Sequence, residues 1–266
     1  MDARPLGSST ARHLAALVAM ALVPALAGAS HSHRTTNFAV EAPTLDAARR
    51  VAEHAEVCRL AIAKAWLGRE LPAWSSPCPI KVKLTQGEAG GLTSFGFCRG
   101  KVHDQSMTVE GRLDRILASS LPHEVTHTVF AAYFGGPMPR WADEGASLLS
   151  EDQREYRRHD QIVVELISRR GQMPLEQFFT AEDYPEDVMG FYGQGYSISR
   201  FLVEMGGRPR FLAFVKEGSK SGWDLAAKNH YGLSNIREVD RAWRSWHKVN
   251  APGTVIVQAS VDPLDR

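Results

Sequence analysis

The chain has 266 residues, 44% of them hydrophobic and 23% charged, which excludes a disordered, collagen-like or mainly transmembrane chain. Lys and Arg number 31 against 30 Asp and Glu, a formal charge of +1. That balance offers no field for nucleic acid or for an anionic membrane.

Residues 1–29 read as a secretory signal. Arg4 and Arg12 precede an apolar run from Leu14 to Ala27, which ends in the small residues Ala27-Gly28-Ala29-Ser30. The run is interrupted by Pro24 and falls short of the roughly 20 apolar residues a membrane span needs. No Cys follows it to carry a lipid anchor. The expectation is an exported protein, periplasmic or extracellular, without stable membrane insertion. Its domain runs over 30–249 and ends in an irregular tail over 250–266.

Within the domain, 37–40 reads as a short strand, and 45–67 as a long helix with Ala47, Val51, Ala55, Cys58, Ile62 and Trp66 at three- and four-residue spacing. A loop over 72–79 leads to a strand at 80–84, where apolar and basic residues alternate. A turn over 87–91 precedes strands at 93–98 and 101–110. From residue 113 the pattern is helical: 113–134, 140–158 extending to about 169, 195–206, 208–216, 222–230 and 235–248. The fold class is α+β, a small sheet first and a mainly helical half after. Cys58, Cys78 and Cys98 lack C-x-x-C spacing. Export permits one disulfide, for which Cys58–Cys78 is the favoured pair; three reduced, buried thiols are the alternative.

The chemistry lies in Leu121-Pro-His123-Glu124-Val-Thr-His127. Residues four apart share a helix face, so the His123 and His127 imidazoles can reach one metal, with the Glu124 carboxylate flanking it to hold a metal-bound water. Zinc suits imidazole donors and acidifies its water. Pro122 predicts a kink or a restart of the helix just before the motif. A catalytic zinc needs a third protein ligand. The metzincin pattern is excluded, because Phe130 stands where its Gly is required and Tyr133 where its third His is required. Glu144, in Trp141-Ala-Asp143-Glu144-Gly145, lies seventeen residues after His127 across the reversal Gly135-Gly136-Pro137. A second helix can therefore bring it back to the first, and Asp143 is the competing ligand.

H-E-x-x-H followed by W-x-x-E-G resembles the gluzincin zinc metallopeptidases, in particular secreted peptidase-MA-like domains. The segment from Phe191 to Leu202, with Gly206-Gly207, is similar to their downstream element. The likeness covers about residues 37–248. It implies a twisted sheet packed on the catalytic helix, with His123, His127 and Glu144 as ligands of one Zn2+ per chain and Glu124 as general base. It also implies a substrate-bordering edge strand near Met107-Thr108-Val109, and Tyr192 as a donor to the oxyanion, with Tyr196 one turn away as the alternative. The G-x-M-E-N element of the aminopeptidases and the N-E-x-x-S-D form of the thermolysin branch are both absent.

Ser147 and Glu151 follow Glu144 by three and seven residues and either orient a histidine or face solvent. His31 and His33 read as a mobile terminus, and His54, His103, His159, His230 and His247 as surface or packing residues. The expected activity is hydrolysis of peptide or protein substrates. The alternatives are a secreted binding or scaffold protein that keeps the fold without turnover, and a zinc hydrolase of a non-peptide bond.

Overall fold

In the computed structural model, which describes residues 30–249 except 182 and 184, the chain folds as an α+β protein. The expected signal over 1–29 and the tail over 250–266 lie outside the described residues. Five strands form one sheet: β1 (His31–Arg34), β2 (Phe38–Ala42), β3 (Cys78–Leu84), β4 (Gly90–Cys98) and β5 (Lys101–Gly111). Their spatial order is β1-β2-β3-β5-β4; β2, β3 and β5 are parallel, and β1 and β4 close the two edges antiparallel. His31 and His33, expected to be mobile, instead pair with Ala42 and Val40 as part of β1.

Helix α1 (Leu45–Leu67) is the crossover between β2 and β3, with the bounds its periodicity predicts. The Thr44 hydroxyl accepts from the Ala47 N–H at 3.2 Å at one end, and Gly68 at φ 66° closes the other. Its buried face is rich in alanine (Ala47, Ala48, Ala52, Ala55, Ala63), so the helix can lie close to the sheet. Strand β3 buries Cys78, Ile80 and Val82 beneath it and turns Lys81 and Lys83 outward.

Strand β5 continues into α2 (Leu113–Arg115), a π-helical turn (Ile116–Ser120) and α3 (Leu121–Phe134). The expected kink at Pro122 takes the form of that wider turn, in which the Leu121 N–H reaches back to the Ile116 carbonyl. Proline has no N–H to continue the regular ladder, and a π-turn absorbs the mismatch. Gly135, at φ 63°, ends α3 where the β4–β5 hairpin leans against it: a Cβ there would lie 2.5 Å from the Gly100 carbonyl oxygen.

The helical half holds α4 (Arg140–Ser147), a 3-10 turn (Leu148–Ser150), α5 (Gln153–Ser168), α6 (Leu175–Phe178), α7 (Val188–Gly206), α8 (Arg208–Ser221), α9 (Trp223–Tyr231) and α10 (Ile236–Val249). Two expectations change here. The helix predicted from 140 toward 169 breaks at Glu151, because Asp152 adopts extended backbone and caps α5 through the Glu155 N–H. Helix α7 starts seven residues earlier than predicted, capped by Asp187. Gly195 of α7 and Gly145 of α4 allow the two helices a close approach: a Cβ on Gly195 would sit 2.8 Å from the Trp141 carbonyl oxygen, and one on Gly145 2.2 Å from the Gly195 carbonyl oxygen.

Aromatic packing fills the interior of both halves. Trp66 of α1 meets Phe130 of α3 edge-on at 5.0 Å, and Trp141 of α4 stacks on Phe179 at 4.1 Å. A buried ring such as Phe130 contributes about 1.5–3 kcal/mol through burial, and each ring pair roughly 0.5–1.5 kcal/mol more. The favoured Cys58–Cys78 disulfide is not formed. Both thiols are buried and free, and burial pushes their pKa values up to about 12. Cys98 is exposed and free. Among the described residues, no helix is long and apolar enough to cross a membrane.

Candidate metal centre

His123 and His127 lie one turn apart on α3, with ring centroids 4.9 Å apart. After the reversal at 135–139, α4 returns across α3 and presents Glu144 to both rings. One oxygen, Glu144 Oε2, lies 3.4 Å from His123 Nε2 and 3.8 Å from His127 Nε2. Donor atoms of the three residues all fall within 4.8 Å of one another, a group that could hold a metal ion. Their side chains are only 10–17% exposed.

The other nitrogen of each imidazole is held by a carboxylate. His123 Nδ1 is 2.8 Å from Glu151 Oε1, and His127 Nδ1 is 2.9 Å from Asp143 Oδ1. An ionised carboxylate can only accept, so each Nδ1 carries a proton, and each Nε2 is left facing Glu144. Asp143, the competing ligand in the sequence, thus supports His127 from behind. Glu151 orients His123 even though the helix it was expected to extend is broken, and the Ser119 hydroxyl holds its second oxygen at 2.8 Å. Ser147, fully buried, places its hydroxyl 3.3 Å from His127 Nδ1. The segment carrying Glu151 is anchored by Arg115, which pairs with Asp152 at 2.5 Å and Glu155 at 2.9 Å.

Burial by itself lowers the His123 imidazole, but hydrogen bonds to Glu144 and Glu151 outweigh it and leave the pKa well above the ordinary histidine value. His127 is raised as well: burial opposes, and the neighbouring Asp143 prevails. Burial raises Glu151, but its bonds to His123 and Ser119 bring it below the ordinary carboxylate value. The surrounding carboxylates favour the protonated form of both imidazoles. The site is one that calls for positive charge.

Glu124, on the neighbouring face of α3, is held from the sheet. Thr93 Oγ1 of β4 donates to Glu124 Oε2 at 2.6 Å. Next to it, a Cβ on Gly91 would fall 2.5 Å from both Cγ and Oε1 of Glu124, so only glycine leaves room for this carboxylate. Neither Thr93 nor Gly91 carries a local sequence signal, because both reach the site through packing of β4 on α3. These residues open into a cleft of about 670 Å3. Tyr192 of α7 lines the cleft, whereas Tyr196 is buried with its hydroxyl against Asp160 at 3.2 Å and Arg200 at 3.3 Å.

The substrate-bordering edge implied near Met107-Thr108-Val109 is placed differently. That segment is in β5, paired to Ile80, Lys81 and Val82 on one side and to Thr93, Leu92 and Gly91 on the other. It has no free edge; the hairpin folds β4 outside it, and β4 borders the cleft. A second group of donors, Glu151, Glu155 and His159, also lies within 4.8 Å. Glu155 is already matched by Arg115 and Arg158, and Glu151 by His123 and Ser119, so this group reads as support for the first. A scan against models of known protein families and a search of curated proteins both find no match to this chain.

Proposed function

We propose that the chain is an exported, zinc-dependent metallopeptidase of the gluzincin type, with His123, His127 and Glu144 as the metal ligands. The observation that carries this reading is the convergence of the three donors, with each imidazole fixed from behind by a carboxylate. Tetrahedral zinc with donor distances of 2.0–2.1 Å separates its ligand atoms by roughly 3.3 Å. The observed 3.4 and 3.8 Å between Glu144 and the two imidazoles fit that demand. Orientation of ligand histidines by carboxylates is the usual support of such a site.

Zinc in that donor set supplies Lewis acidity toward a water and a substrate carbonyl. Glu124 takes a proton from the attacking water and later delivers it to the leaving amine, while Thr93 fixes the carboxylate that does so. Tyr192, which lines the same cleft, serves as hydrogen-bond donor to the carbonyl oxygen as charge builds on it.

The test combines elemental analysis of the purified protein with digestion of a broad peptide library by wild type and by Glu124→Gln. One zinc per chain in both proteins is expected, with cleavage by wild type and none by Glu124→Gln, since an amide cannot accept the proton. Equal turnover by both removes Glu124 as the base. Zinc binding with no cleavage by wild type removes the peptidase reading.

A further inference from the structure

Strand β4 passes two cavities. Gly90 to Thr93 and Phe95 wall the metal cleft, and a second groove of about 820 Å3 begins at Phe95 and Phe97. The two cavities share Phe95, Arg140 and Asp143, so they adjoin. The lining of the second includes the apolar Met138 and Trp223 and the buried Phe179, along with the charged Arg140, Asp143 and Lys220. Phe95 and Phe97 stand edge to face at 5.3 Å, and Phe179 and Trp223 at 4.9 Å, so both walls are built from aromatic pairs. Gly136 is part of the lining, and a Cβ there would meet nothing within 4 Å, so a larger side chain can be placed at this point of the groove without a backbone clash.

We propose that this groove is a specificity site: it takes one large apolar, preferentially aromatic, side chain of an extended polypeptide bound along β4, three to five residues from the bond that is cut. The proposal rests on the peptidase reading and adds the class of substrate to it. Three observations carry it. Strand β4 is an edge, paired only to β5 among the described residues, so its outer N–H and C=O groups are free to pair with an added strand. The path from Thr93, beside Glu124, to Phe97 is four residues, at most about 13 Å of chain, with a register shift against β5 between Ser94 and Gly96. That length sets the offset between the reacting bond and the groove. Burial of an aromatic ring among four others supplies the selectivity, through area removed from water and through ring pairing. The occupant must present unpaired backbone groups to β4, as an extended stretch of chain outside a helix or a sheet interior does.

The probes are Ser- and Gly-rich nonapeptides carrying one Phe moved stepwise along the chain, with a Phe-free parent. Two quantities are read for each: kcat/KM with the zinc-loaded wild type, and Kd by fluorescence anisotropy with the uncleaving Glu124→Gln chain. Phe at one offset should improve both by about ten-fold or more, as expected for burying a ring. Gly136→Leu, which adds a branched side chain to the groove's lining, should bring the ratio between Phe-bearing and Phe-free peptides close to one. Phe97→Ser, at a half-exposed position on the strand, should reduce that ratio without abolishing it. A flat series, or a gain that survives Gly136→Leu, overturns the proposal. Offset-dependent binding that Gly136→Leu removes, with no cleavage, overturns the peptidase reading and keeps the groove. A stable dimer of the wild type that Gly136→Leu dissociates assigns the groove to a second copy of the chain and overturns its role in substrate selection.

Discussion

Asp143 and Glu144 are adjacent in sequence and opposite in role. Glu144 approaches the Nε2 atoms of both histidines, while Asp143 holds only the back of His127. Removing Glu144 deletes a donor, whereas removing Asp143 leaves three donors but frees the ring to turn. Glu144→Ala should therefore abolish stoichiometric zinc binding, and Asp143→Ala should retain it with affinity lowered about 10–100-fold, read by competition with a chromophoric chelator. The reverse order would make Asp143 the ligand. Gly91 makes a different demand. An Ala methyl there falls 2.5 Å from Glu124 Oε1, so the carboxylate must swing away from Thr93. Displacement of a catalytic group by about 1 Å costs on the order of 10²-fold. Gly91→Ala should lower kcat by that order with zinc content unchanged, and full activity would show that Glu124 works from another position. The ligands were legible in the sequence because H-E-x-x-H and W-x-x-E-G are local patterns whose geometry a helix fixes. Gly91 and Thr93 were not, since they are more than thirty residues from Glu124 and only the fold brings them there.

At the scale of elements, periodicity found α1 to the residue because one face of it is buried along its whole length. It misjudged α5 and α7 for two different reasons. The polar run around Glu151 reads as helix, yet Asp152 is a cap, and the break lets Glu151 turn back to His123. The first turns of α7, with Gly190 and Gly193, lay outside the predicted helix 195–206, and at Gly195 α4 presses against it. Propensity there yields to packing, at a cost of about 1 kcal/mol for each internal glycine. That contact positions Glu144, the neighbour of Gly145. A methyl on Gly145 would lie 2.2 Å from a backbone oxygen that no rotamer change can move. Gly145→Ala should destabilise the fold by at least about 1–3 kcal/mol and also weaken zinc binding as α4 shifts. Thermal unfolding and chelator competition would read the two effects. Unchanged stability would mean that α4 and α7 can separate without consequence.

For the whole molecule, the donor set bridges two packing systems. His123 and His127 sit on α3, which packs on α1 and the sheet through contacts such as Trp66 on Phe130. Glu144 sits on α4, which packs chiefly on α7 in the helical half. A metal at this point would tie the two halves together, across a junction where carboxylates surround two imidazoles. Binding to the folded chain alone stabilises it by RT ln(1 + [L]/Kd), about 2.7 kcal/mol at a hundred-fold excess over Kd. For a domain of this length, that corresponds to roughly 5–10 °C in Tm. Chelation of the wild type should lower Tm by that amount, and excess zinc should restore it. His123→Ala should show one Tm with or without chelator, because it has lost the donor that joins α3 to the ion. If chelation instead shifts His123→Ala as much as wild type, the stabilising metal is bound elsewhere, and the junction between the halves is held by packing alone.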